Sequence, residues 1–299
     1  MNHLNTQPLQ HLPFSLTGSG SGTAALLLDA VAQAPLLSRI YQWSDNPQVD
    51  PLYLQTPWQE LLELSPCLVF LSGPQDPALA GFLNEAELET GWLLLSEQPP
   101  EAISQHLRRL LTVQPPYGDP SLLRISDPAT AHVLFGHAEQ QGNRALFGPI
   151  EAVCCPDSLL QTWHCHSAPR STAPPWSEPY QLDQQQWTLL EQVAFRQAVL
   201  TLRQHMQQYF PDYQAHLSLL DQGLHWQKLT EIAYKQGFCN LQEILLFANI
   251  HGYLGPDALI KHSDLQESLQ KNSTGSPLFR VKKVAREAAT RAHRMEQTT

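Results

Sequence analysis

The apolar residues of this chain change their spacing at one proline- and serine-rich segment, residues 169–180. Before it they come in short runs such as TAALLLDAV, CLVFLS and WLLLSE, which are typical of buried strands. After it they recur every three or four positions, as in helices. Prolines and serines at this density are typical of an inter-domain linker. The spacing therefore predicts an α/β or α+β lobe with a central sheet over 22–168 and an all-helical lobe over 181–299.

The chain begins with a polar stretch that ends in a glycine–serine tract, GSGSG at 18–22. A phosphate-binding loop would follow a strand and contain a lysine, whereas this tract precedes the first apolar run. We therefore predict a flexible lead-in over 1–21. No basic stretch followed by an apolar core indicates a signal peptide, and no apolar run is long enough to span a bilayer. We expect a cytoplasmic protein that does not insert into membranes.

Charge is distributed unevenly along the 299 residues, which carry a net charge of −10. Seven lysines and arginines against two glutamates give residues 271–299 a charge of +5, so residues 1–270 carry −15. An acidic body disfavours nucleic acid, and we predict no nucleic-acid partner. The basic tail has three interpretations: a solvated terminal helix, a segment that folds back on the body, or a contact for an acidic partner. A regulatory protein whose tail binds nucleic acid is a further hypothesis.

Two Asp-Pro pairs, Asp76-Pro77 and Asp127-Pro128, are each followed by an apolar rhythm of helical spacing. An aspartate at the N-cap accepts a hydrogen bond from a free backbone N–H, and proline fits the first helical position. Both pairs therefore predict helix starts rather than acid–base chemistry. Arg124, in the predicted strand SLLRIS, is either a charge at a strand edge or the partner of an internal carboxylate.

A zinc- or thiol-dependent enzyme is the alternative that the sequence leaves open. His164 and His166 point to the same face of a strand, and Cys154 or Cys155 could add a thiolate. No Cys-x-x-Cys pair accompanies them, and the odd total of five cysteines does not indicate a disulfide scaffold. No hydrolase elbow, zinc-protease motif or calcium loop is present in the sequence. We predict no enzymatic activity, no cofactor and no metal.

Several short motifs resemble, in order, those of one bacterial family. They are Leu28-Asp29-Ala30 with PLLSRIY, then SPCLVFL, GWLLLSEQPPEAISQHLRRLLTV, LLRISDPATAHVLF and ALFGPIEAV, and they cover about residues 23–155. The family is that of the domain of unknown function numbered four-one-two-three. The later stretch AYKQGFCNLQEILLFANIHGYLG is similar to its usual C-terminal lobe. The chain departs from the family at Ser126, where an aromatic residue is frequent, and at Ala129, where a basic one is.

The resemblance implies an adaptor, or chaperone, for effectors of the type VI secretion system. Such proteins bind a toxic effector in the cytoplasm and help to load it onto the spike protein at the tip of the secretion needle. The implied partners are a secreted effector and the spike protein. The implied structural motif comprises both Asp-Pro pairs and the turn Phe147-Gly148-Pro149.

Partner-binding residues are predicted from the same motifs and from the aromatic residues of the helical lobe. Those aromatic residues are either core residues or part of an exposed surface for a partner. The predicted partner-binding residues are Trp92, Arg108, Arg109, Arg124, Trp226, Tyr234, Phe238 and Phe247.

Overall fold

The computed structural model describes Leu9 and residues 22–32, 35–170, 179–270 and 275–296. The predicted lead-in, Leu9 apart, lies outside the described residues, as do residues 171–178 of the predicted linker. The chain divides into two units, Met1–Val193 and Ala194–Thr299. The predicted sheet lobe and the predicted all-helical lobe are both confirmed.

A six-stranded sheet organises the first unit, with strand order β2-β3-β1-β4-β7-β8. Every neighbouring pair is antiparallel, so the lobe is α+β. A central position explains why β1, β3 and β4 are runs of leucine and valine, because both faces of the sheet are covered. The strands are β1 (Thr23–Leu28), β2 (Gln48–Pro51), β3 (Cys67–Leu71), β4 (Gly91–Ser96), β7 (Ile150–Asp157) and β8 (Thr162–Ser167).

Helices cover the two faces of this sheet with separate apolar clusters. Leu27, Trp92 and Cys155 face one cluster, which α3 and α4 complete. Leu26, Leu93 and Cys154 face the other, which α1 and α2 complete. The alternation follows from the two-residue period of a strand. The helices are α1 (Leu36–Trp43), α2 (Pro77–Asn84), α3 (Pro100–Leu110) and α4 (Pro128–Gln140).

The predicted strand SLLRIS is wrong for most of its length. Only Ser121–Leu122 (β6) is extended, in a small sheet of order β6-β5-β9 with β5 (Thr112–Gln114) and β9 (Tyr180–Gln181). The residues that follow form a turn, because Leu123 and Ile125 are buried in the core beside α3 and α4. Asp127 then accepts a hydrogen bond from the Thr130 N–H at 2.8 Å and so caps α4.

Helices joined by turns make up the described residues of the second unit. Its last helix packs on α7 and α9 and buries Val281, Val284 and Ala288 on one face. The basic tail is therefore a helix that folds back within its own unit. The helices are α5 (Gln184–Tyr209), which crosses the boundary between the units, α6 (Leu219–Lys235), α7 (Leu241–Leu254), α8 (Ala258–Lys261), α9 (Ser263–Leu269) and α10 (Pro277–Glu296).

Candidate partner-binding surfaces

Arg124 pairs with a buried carboxylate at the end of β1. Its Nε donates to Asp29 Oδ2 at 2.6 Å, and the Asp29 side chain is 2% exposed. The other oxygen, Asp29 Oδ1, accepts the Val31 N–H at 2.8 Å. Burial also raises the pKa of the Asp127 carboxyl, and the positive charge of the nearby Arg124 partly opposes this rise. Arg124 is thus the partner of an internal carboxylate, one of the two interpretations that the sequence left open.

The paired arginines of α3 differ in their surroundings. Arg108 is half-buried and forms an ion pair with Asp50 at the edge strand β2. Arg109 follows it on the helix and is exposed to solvent. Arg108 therefore ties α3 to the edge of the sheet, whereas the Arg109 side chain is exposed and its predicted role in partner binding stays a prediction.

Trp92 lies in the core, where no partner protein can reach it. Its indole Nε1 donates to the Ile125 carbonyl at 2.8 Å, and its ring packs edge-on against Phe135 at 5.5 Å. The Phe147 ring packs against the same Phe135 at 4.9 Å. Trp92 therefore links β4 to the turn that precedes α4, and both aromatic residues hold this unit together.

Gly148 makes the turn after Phe147 possible. Its φ of +52° lies in the left-handed region, and an added Cβ would come within 2.4 Å of the His106 ring. That ring is fixed, because His106 Nε2 donates to the Leu146 carbonyl at 2.8 Å. The Pro149 carbonyl accepts from the Ser96 hydroxyl at 2.6 Å. The predicted structural motif Phe147-Gly148-Pro149 is therefore a packed turn that leads into β7.

Three of the four aromatic residues predicted to bind a partner in the helical unit are core residues. Trp226, Phe238 and Phe247 are each at most 1% exposed, and the last two rings pack together at 5.7 Å. Tyr234 is half-buried, with its ring edge-on to Phe195 at 5.4 Å. Only Tyr234 keeps surface that a partner could contact.

The histidines of the alternative enzyme do share one face, and the described cysteine on that face, Cys155, is fully buried. His132 of α4 inserts between them: its Nδ1 is hydrogen-bonded to His166 Nε2 at 2.8 Å, and its ring stacks on His164 at 3.9 Å. Two carboxylates are hydrogen-bonded to ring nitrogens of these histidines. Asp157 is bonded to His164 at 3.0 Å, and Glu139 is bonded to His166 at 3.2 Å. Among the described residues, no group of three or more histidines, cysteines or carboxylates is placed to hold a metal ion.

The two candidate thiols are both engaged in other ways. Cys154 lies directly opposite Cys165 in the β7–β8 pair, and the two form a disulfide on the opposite face of the sheet from His164. Cys155 is fully buried, and that burial raises the pKa of its thiol well above the ordinary value. Because the thiolate is the reactive form, Cys155 is inert.

Sequence reasoning missed an exposed apolar surface in the first unit. The short 3-10 helix Gln59–Leu64, of sequence QELLEL, has no buried residue. Leu61, Leu62 and Leu64 are each 43% exposed, and we refer to these three side chains as the leucine turn. The signal was present in the sequence, because three leucines in a stretch too short for a stable amphipathic helix have no face to bury.

A cleft in the second unit lies between α9 and α10. It has a volume of about 530 Å³ and is lined by apolar and charged side chains of both helices. Lys282, Lys283 and Arg286 are exposed on its α10 side. The sequence analysis counted these cations in the basic tail without assigning them to a site.

Comparison with known proteins places the chain in a family. A family model described as a domain of unknown function, DUF4123, matches residues 26–145. Over 267 residues the chain is 30% identical to the accessory protein VasW of Vibrio cholerae serotype O1 (strain ATCC 39315 / El Tor Inaba N16961). That similarity covers 87% of this chain and 85% of VasW. The chain therefore belongs to the DUF4123 family, as its motifs predicted. No solved structure matches it.

Within the described ranges, every helix is too short or too polar to cross a membrane.

Proposed function

We propose that this protein is a non-enzymatic adaptor that binds a type VI secretion effector in the cytoplasm and helps to load it onto the spike protein. The observation that carries the proposal is the extent of the similarity to VasW, which is named an accessory protein. The similarity runs over 267 residues and so extends into both units. Similarity confined to one shared domain would end within the first unit. The family's motifs imply the same adaptor role.

The leucine turn supports a role in binding proteins. Exposed apolar side chains that lie next to one another are uncommon on monomeric proteins and are typical of protein–protein contacts. Leu54, 40% exposed, lies close by in sequence and adds to the apolar surface of this region. Glu60 and Glu63, both exposed, alternate with these leucines and provide a polar rim. We expect this surface to contact the effector or the spike protein.

The chemistry of the cysteines favours an adaptor over the thiol or zinc enzyme. That enzyme needs a cysteine sulfur on the same face as His164 and His166. Cys155 is on that face but is buried with a raised thiol pKa, and Cys154 is bonded to Cys165 on the other. The histidine cluster therefore packs α4 onto β8, and the proposal assigns it no reaction.

Co-expression with the products of neighbouring genes tests the proposed function. The tagged full chain is purified, and whatever remains bound at an equimolar ratio is identified, while zinc per chain is measured on the same sample. A toxin-like protein or a needle-tip protein in the complex is the expected result. A protein that purifies alone with one zinc per chain, lost on His164→Ala, would reject the adaptor and favour the enzyme.

A further inference from the structure

One stripe of α10 carries cations that the rest of the helical unit does not neutralise. Phe279, Lys283, Arg286 and Thr290 recur at intervals of three or four residues, which places them along one face of the helix. Lys282 lies beside this stripe, four residues before Arg286. The apolar side chains of the helix, such as Val281 and Ala288, point into the core of the unit. The cations of this stripe are therefore positioned on the solvent-facing side of a helix whose other side is packed into the unit.

The stripe forms one wall of the cleft between α9 and α10, which we call the basic groove. Leu265 of α9 and Val284 of α10 are buried side chains that reach its lining. Phe279 also lines the groove and is 61% exposed. The groove thus combines an apolar floor, an exposed aromatic ring and a row of cations, and its volume of about 530 Å³ can hold several side chains of a peptide.

The carboxylates in the groove are already paired with another cation. Arg291 binds Asp264 through a bidentate contact, at 2.5 Å and 3.1 Å, and its Nε binds Glu287 at 3.0 Å. Lys282, Lys283 and Arg286 form no ion pair with any described residue. Three positive charges therefore face solvent in a chain whose net charge is −10.

The shape and charge of the groove favour an acidic protein segment over nucleic acid. A phosphate backbone is recognised by long tracts of cations, whereas three cations that no described carboxylate neutralises line this short groove. The apolar floor instead matches a protein side chain, because interface cores are apolar and their rims are charged. A carboxylate-rich segment that carries one large apolar residue would satisfy both features.

We propose that the basic groove of α10 is a docking site for an acidic segment of a partner protein. The carboxylates of that segment pair with Lys282, Lys283 and Arg286, and its apolar side chain packs on Phe279 and Leu265. The inference rests on the proposed function in one respect, namely that the partner is a protein bound by an adaptor. It goes further in naming the surface and the chemistry of the bound segment.

Fluorescence anisotropy of the full chain tests this site with defined probes. One labelled peptide contains glutamates and aspartates around a central phenylalanine, and its matched control has glutamine and asparagine in their place. At physiological ionic strength, where long-range attraction is screened beyond about 8 Å, we expect the acidic peptide to bind about tenfold more tightly than its control. Lys283→Glu with Arg286→Glu should weaken binding of the acidic peptide about tenfold, since favourable pairs become repulsive.

One further variant serves as a control, and another tests the apolar contact. Lys228→Glu with Lys235→Glu reverses two exposed cations on α6 and should change affinity by less than about twofold. Phe279→Ala removes no charge and should weaken binding several-fold if the ring is the apolar contact. Both substituted sites are exposed, so each variant should keep the thermal midpoint of the parent chain.

Three outcomes would overturn the docking site. They are equal affinity for the acidic and the neutral peptide, equal losses in the α10 and α6 variants, and a single-stranded oligonucleotide that binds more tightly than the acidic peptide. The titration contains no effector, so its failure would leave the result of the co-expression experiment standing. Conversely, the absence of a co-purifying effector would reject the adaptor without altering what the titration reports about the groove.

Discussion

Two arginines of the sheet unit and two cations of the helical unit differ in whether a carboxylate partners them. In the sheet unit, Arg124 is paired with the buried Asp29, and Arg108 is paired with Asp50 at the edge strand. In the helical unit, Lys283 and Arg286 line a groove and have no carboxylate partner among the described residues. Removing an arginine that pairs with a buried carboxylate destabilises the fold, whereas an unpaired surface cation contributes little to stability and is available to a partner.

This difference indicates which parts of the molecule we expect to bind a partner protein. The motifs by which the family resemblance is identified, including Arg124 and the turn at Gly148, mostly hold the sheet unit together. The surfaces that we assign to partners, the leucine turn and the basic groove, belong to no such motif. The residues that carry the family resemblance and the surfaces that we assign to partners are therefore different parts of this chain.

The largest expected difference between the units concerns two glycines with positive φ. Gly148→Ala adds a Cβ at 2.4 Å from the buried His106 ring, so backbone strain and overpacking act together and should cost about 3–4 kcal/mol. At Gly255 of the helical unit, φ is +87° but no atom lies within 4 Å of an added Cβ. Gly255→Ala should cost about 2 kcal/mol from backbone strain alone, because φ +87° with ψ 176° is a region almost confined to glycine. Urea unfolding of both variants measures the contrast, and equal losses would show that the turn at Gly148 is not tightly packed.

Acid should weaken the sheet unit through His106. Burial lowers the pKa of this imidazole to about 4, while its hydrogen bond to Leu146 opposes the shift. Because the unfolded state binds the proton near pH 6.5 and the folded state does not, the stability is fully present above pH 6.5 and falls as the pH drops towards 4. At about 1.4 kcal/mol per pKa unit, the loss is on the order of 3 kcal/mol.

His106→Gln keeps a donor for the Leu146 carbonyl and removes the titration. The free energy of unfolding of this variant, measured in urea between pH 7 and 4, should therefore fall less steeply than that of the parent chain. Parallel curves would contradict the assignment of this acid sensitivity to His106.

Truncation of one cation in each unit tests the comparison directly. Arg124→Ala leaves the Asp29 carboxylate buried without its ion-pair partner and should cost about 2 kcal/mol, a figure reduced because the arginine is 37% exposed. Lys283→Ala removes an exposed, unpaired charge and should change stability by less than about 0.5 kcal/mol. Thermal unfolding of both variants measures the two costs. If Lys283→Ala were the more costly change, the contrast between the units would be lost.

Local sequence signals predicted much of the fold. Residues that are neighbours in the sequence define the apolar runs at β1, β3 and β4 and the Asp-Pro start of α4. Such features can be recognised from the sequence alone. The strand predicted after Asp119-Pro120 was wrong beyond Leu122. Tertiary packing of Leu123 and Ile125 there outweighed the local preference for an extended backbone.

The candidate surfaces were harder to predict, because exposure depends on contacts between distant residues. Asp29 and Arg124 are separated by 95 positions, and nothing near Arg124 in the sequence identifies its partner. Trp92 and Trp226 could each have been surface anchors, and their burial follows from packing that no spacing pattern specifies. The leucine turn could have been noticed, since QELLEL contains three leucines but is shorter than a stable helix.

The central claim is that the protein acts by holding a protein partner, and effector bound per chain measures this most directly. The tagged chain is co-expressed with its neighbouring gene products in three forms. They are the parent chain, the leucine-turn variant Leu61→Ser with Leu62→Ser, and a control variant, Leu88→Ser with Leu160→Ser. The two control leucines belong to the same unit and are 59% and 43% exposed. We expect about one effector per chain for the parent and control, and a several-fold loss for the leucine-turn variant. A parent chain that retains no protein partner would contradict the account.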